Sequence, residues 1–150
     1  MWIIPTRTDL TRALTGPELE AVETAAVESG APDPLPGTLA AAVQLARGYI
    51  AACPRNRLGP ADSIPDALLS SVVAIARWNL LTRFPDVGLT SDARRAEYSD
   101  ALTTLRDCAA CKFAVEAPPD EPAAPEAVHY PEAAAGCREL RVTLNHTEGL

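Results

Sequence analysis

Four segments of helix length follow one another and then give way, at Ala114, to a Pro-rich acidic tail; this order constrains the fold more than any single residue does. The last two, residues 75–83 and 96–106, repeat apolar residues at the three- and four-residue spacing of one helix face. Chains of this kind close as helical bundles. A single domain suits the 150 residues, and a helical part of about 110 residues buries enough apolar surface to fold alone. The helical part offers no convergent nucleophile, base and orienting group, so the order reads as an adaptor and not an enzyme.

Along the chain, a short first helix is expected over residues 7–14, with Thr6 or Thr8 as its cap and Gly16 as its stop. Pro17 suits a first helical position, and a second helix runs to Val27 with Glu18 and Glu20 early, where the macrodipole favours them. Residues 29–37 read as a loop. From Thr38, the residues Leu39, Ala42, Val43, Ala46, Ile50 and Cys53 share one face opposite Gln44 and Arg47, and Pro54 ends that helix. Pro65 opens the next, which runs to Arg83 with little polar surface and therefore belongs at the centre. After a break at residues 84–92, a last helix reaches to about Phe113 with Tyr98, Ala101, Leu102, Leu105 and Cys108 inward. The expected fold is all-α: a small bundle of four to five helices over residues 1–113, then an extended Pro-rich acidic tail over 114–150. One short strand, residues 139–144, is the tail's candidate for regular structure, placed to pair with a neighbouring edge.

The net charge of −7 is unevenly divided. Residues 1–113 carry 11 Lys/Arg against 13 Asp/Glu, whereas 114–150 carry 2 against 7. A near-neutral body without a basic stripe argues against a nucleic-acid reader, though not against a wall along which DNA slides. No signal peptide and no membrane-length apolar segment stands out, so a soluble protein is expected. Without a secretory signal, Cys53, Cys108, Cys111 and Cys137 are expected as reduced thiols with no disulfide. The Cys108–Cys111 spacing falls near a helix end, where the dipole raises a thiol pKa, and a second ligand pair at matching spacing is missing. Packed cysteines are thus the first reading; a zinc-binding or regulatory module using all four is the alternative. His129 and His146 lie in the tail without the rigid support that general base catalysis needs. No Gly-rich phosphate loop is present, and no cofactor or metal is implied.

Several short motifs, taken in order, carry a family resemblance: Trp2-Ile-Ile-Pro-Thr with Asp9-Leu10, Gly48-Tyr49-Ile50, Pro65 opening a helix, Ile75-Ala-Arg-Trp-Asn-Leu-Leu81, and Tyr98-Ser-Asp-Ala-Leu102 with Leu105-Arg-Asp107. Over residues 2–113 the chain resembles the Mu-like prophage protein family, which is similar to phage head-to-tail connector, or head completion, proteins. The resemblance implies a non-enzymatic virion subunit that forms a dodecameric ring below the portal, seals the packaged head and offers the tail a docking surface. Its implied partners are itself, the portal protein, a tail-proximal neck or tail terminator protein and, passively, DNA in the channel; no membrane is involved. The implied location is the virion neck, with the host cytoplasm during assembly. Two departures from the family pattern stand out. Cys111 occupies the place of a small residue, often Gly, before Lys112, and Cys53-Pro-Arg-Asn-Arg57 replaces a basic-aromatic pair after the third helix.

Candidate contact residues follow from residue type and place. Trp2 and Tyr130 are aromatics on terminal arms, suited to filling a partner pocket, although Trp2 also suits a cap on its own bundle. Arg55 and Arg57 lie in a loop that suits a contact with the portal or the channel. Glu18, Glu20 and Glu23 on one subunit are candidates to meet Arg94, Arg95 or Arg106 on the next, because a cyclic ring needs two different complementary patches. Arg141 on the tail's candidate strand completes the set.

Overall fold

Five α-helices and one short β-ladder make up the computed structural model, which describes residues 1–30, 32–84 and 90–119. The helices are α1 (Arg7–Ala13), α2 (Gly16–Glu28), α3 (Pro34–Ala52), α4 (Leu69–Arg83) and α5 (Asp92–Ala109). The all-α bundle expected from the sequence is therefore the fold. The candidate strand at 139–144 and most of the expected tail lie outside the described residues.

Local chemistry sets the helix starts. At α1, the Asp9 carboxylate accepts from both the backbone N–H and the hydroxyl of Thr6, at 2.8 and 2.7 Å. At α2, Thr15 and Glu18 form a reciprocal capping box: the Thr15 N–H donates to Glu18 at 2.7 Å, and the Glu18 N–H donates to the Thr15 hydroxyl. The third helix begins at Pro34, earlier than the expected Thr38. Asp33 caps it, accepting from the Leu35 N–H at 3.0 Å. Pro34 and Pro36 both fit the first turn, where a missing N–H breaks no helical bond, so prolines that read as a loop open the helix instead.

The fourth helix begins later than expected. Ile64–Pro65 forms a strand, β2, which pairs antiparallel with Trp2–Ile3, β1, with Trp2 opposite Pro65 and Ile3 opposite Ile64. A 3₁₀ turn over Asp66–Leu68 then leads into α4. Two-residue strands show no alternation that a sequence pattern can reveal. The last helix also stops short, at Ala109, because Cys111 takes a left-handed φ of 58°. The amides of Cys111 and Lys112 turn back onto the carbonyls of Cys108 and Asp107, closing the helix end.

α4 lies at the centre, touching the other four helices. Its Val72, Ile75 and Leu80 are fully buried against Leu10 of α1, Val22 of α2, Leu35 and Ile50 of α3 and Leu105 of α5. Trp78 and Tyr98 stack at the α4–α5 contact with ring centroids 5.6 Å apart. Beyond α5, Phe113 and Val115 still pack on this core. No described helix is long and apolar enough to cross a membrane.

Candidate functional site

The C-termini of α3 and α5 meet. Asn56 donates to a last-turn carbonyl of each, Ile50 and Cys108, and Cys53 at the C-cap of α3 is joined by a disulfide to Cys111, with Cα atoms 5.4 Å apart. The expectation of free thiols throughout is corrected here: helix packing closes a sequence separation of 58 that gives no local signal. With those two sulfurs bonded to each other, the four-cysteine zinc site loses two of its ligands. Cys108 is free and fully buried, and burial first, then the Asp107 charge, raises its thiol pKa. Cys137 lies outside the described residues, among which no group of three or more metal-ligating side chains gathers.

Two of the expected contact residues sit along the segment that leaves this corner. Arg55 donates to the Cys111 carbonyl at 2.6 Å. Trp2 donates its indole N–H to the Glu116 carbonyl at 2.9 Å, and its ring packs so closely on Gly59 that a Cβ there would come within 2.5 Å of the indole. The Glu116 carboxylate also pairs with the N-terminal amino group. Trp2 is therefore a cap on its own bundle, held between the loop after α3 and the segment after α5. Arg57 is exposed in the same loop. Arg47, which the periodicity placed on the outer face of α3, turns its guanidinium to the carbonyls of Gly59, Pro60 and Ser63 and fixes that loop.

The other charged candidates assemble elsewhere. Arg94, near the start of α5, makes a two-pronged pair with Glu18 of α2 at 3.0 and 3.1 Å. Glu97 bridges Arg94 to Arg77 of α4, and Arg77 also donates to the Ala13 carbonyl at 2.8 Å. Glu18 and Arg94, expected on facing subunits, thus meet within one chain. Arg77 escaped the sequence reading, although an arginine inside an otherwise apolar helix is a visible anomaly. Burial works against ionisation of Glu18, but the Thr15 N–H, the Arg94 guanidinium and the Thr15 hydroxyl outweigh it and hold the carboxyl below its usual range. Burial first, then Arg94, lowers the Arg77 pKa against the opposing pull of Glu97 and Glu18; an arginine stays protonated regardless.

An open groove of about 450 Å³ lies over this cluster, lined among others by Ser70, Arg77, Glu97 and Thr104. Of its three charged side chains, Arg77, Glu97 and Asp100, the first two already bind each other, and with the Glu18–Arg94 pair they lock α2, α4 and α5 together. Arg95 is exposed one residue away. Tyr130 and Arg141 lie outside the described residues, as do His129 and His146.

The outer surface of α3 differs from both clusters. Ala40, Ala41, Leu45, Gly48, Ala51 and Ala52 are all exposed there, Leu45 by 41%. The 19-residue helix has one charged residue, Arg47, whose charge is spent on the loop. A solvated helix face ordinarily carries several charges, and this one carries none.

A family model described as Bacteriophage Mu, Gp36 matches residues 5–130, most of the chain. No curated protein and no solved structure matches it.

Proposed function

The chain belongs to the Bacteriophage Mu, Gp36 family of phage proteins, and from that membership we propose a non-enzymatic structural role: a head-completion connector subunit that joins a DNA-filled head to its tail. The match over residues 5–130 is the observation that carries the reading. In it, copies of the chain form a ring below the portal, and a tail-proximal neck or terminator protein docks on the far side. DNA passes through the channel without being held, in keeping with the near-neutral body.

Two structural features support a building block over a catalyst. The ionic cluster of Glu18, Arg77, Arg94 and Glu97 is paired within the chain and makes three helices one rigid unit. The charge-free outer face of α3 suits a contact between copies, because small residues let another backbone approach closely and no charge has to be stripped of water. The acidic face of α2 meeting basic residues of α5 across subunits gives way to this surface, since its strongest pair is internal.

Deleting the gene from the parent phage or prophage, with a complemented control, tests the proposal by electron microscopy of the particles. DNA-filled or leaking heads beside free, intact tails are expected. Normally joined particles, or the loss of heads altogether, would remove the connector reading.

A further inference from the structure

Beyond this assembly role, which it does not require, we infer that Cys53 and Cys111 form a reversible thiol–disulfide site, a clasp whose state decides whether residues 111–116 stay folded across the N-terminal strand.

The two ends of this segment are held differently. At its start, Cys111 is fixed by the disulfide to a fully buried Cys53 and by Arg55 on its carbonyl. At its end, Glu116 is held by the Trp2 indole and by the N-terminal amino group, both near the surface. Between them, Phe113 and Val115 rest on the core without belonging to a helix or a strand. Segments with few buried contacts and no hydrogen-bonded ladder open well below the cost of global unfolding. The covalent bond is thus the strongest constraint at this corner.

The site is also reachable. Cys53 is 1% exposed, but Cys111 is half-buried and borders an open cleft of about 200 Å³ with Arg55, Lys112 and Val115. A dithiol reductant attacks the Cys111 sulfur as its thiolate. The S–S bond breaks, the electron pair leaves on Cys53, and that sulfur takes a proton from water. The second thiol of the reductant then resolves the mixed disulfide, leaving two chain thiols and one oxidised reductant. Glutathione disulfide reverses the sequence and departs as two thiols. Both chain sulfurs sit at helix C-termini, where a thiolate is disfavoured. This suits a staple that follows the redox poise of its surroundings and argues against an oxidoreductase centre.

The backbone fits an opened state as well. Cys111 holds a φ of 58°, a conformation that glycine adopts freely. A C111G chain therefore folds α5 without strain at this position while losing the clasp, and serves as the permanently open form.

The test uses the full chain equilibrated either in glutathione disulfide or in dithiothreitol. Thiols are alkylated under denaturing conditions, bonds are mapped by peptide mass, and amide exchange is read after seconds of labelling. In the oxidised sample, two of the four cysteines should resist alkylation and map as Cys53–Cys111; all four should react after reduction. Exchange at Lys112 and Phe113, whose amides donate to the Asp107 carbonyl, should rise by on the order of tenfold or more on reduction, with α4 unchanged at these times. C111G should exchange fast in both buffers. Four reactive thiols in glutathione disulfide, a different pairing, equal exchange in the two states, or slow exchange in C111G would each overturn the clasp.

Discussion

Glu18 shows how one side chain can serve two structures at once. It closes the capping box of α2 and takes both prongs of Arg94, so its carboxylate is buried only because every oxygen is occupied. Since the folded pKa lies below the unfolded one, its contribution is complete above the ordinary carboxylate range, about 4.3. It is lost as pH falls through the lower, folded value. Glu18→Gln should therefore cost about 2 kcal/mol near neutral pH, the worth of a charged hydrogen-bond pair. The gap from the parent should narrow toward pH 3, as urea titrations of both chains at several pH values would register. Asp9, lowered chiefly by its hydrogen bonds from the Thr6 hydroxyl and backbone, is common to both chains and cancels in the comparison. Both Glu18 and Arg94 were visible in the sequence as charges, but their pairing was not, because 76 residues separate them and only the packing of α2 on α5 brings them together.

The helices were legible wherever apolar residues repeat at helical spacing, as in α3 from Leu39 onward and α5 from Tyr98 to Cys108. The edges were less so. Residues 34–37 read as a loop because two prolines stand there, yet Asp33 makes them a first turn. Asp33→Ala should cost about 1 kcal/mol and fray α3 back toward Thr38. Faster amide exchange at Leu35 and Gly37, with the centre of α3 unchanged, would show it; an unaltered first turn would mean that the prolines alone set the start. The β1–β2 ladder had no such signature. It exists because Trp2 must lie on Gly59 and Ile64 must be buried, two demands that arise only once the bundle is formed. Arg47 lies off the apolar stripe as its spacing implies, but the spacing could not show that a long side chain there curls back to cap a loop.

For the whole molecule, the disulfide matters most in the unfolded state. Closing a loop with a sequence separation of 58 removes chain entropy worth about 4 kcal/mol by the loop-closure estimate. Denaturant unfolding with and without reductant should differ by a sizeable fraction of that, whereas a difference near zero would mean that the reduced chain keeps the same constraint by packing. The two cysteines it joins are the positions at which the sequence departs from the resemblance drawn above, at Cys53 after the third helix and at Cys111 before Lys112. The departures are thus one change in space, which no reading of either position alone would disclose. The two tryptophans, finally, divide the molecule between them: Trp78 is stacked on Tyr98 at the α4–α5 seam, and Trp2 lies on Gly59 beside the clasp. In a W78F chain the single remaining indole would make fluorescence an optical gauge of that corner alone, able to follow its opening in real time while the rest of the bundle stays dark.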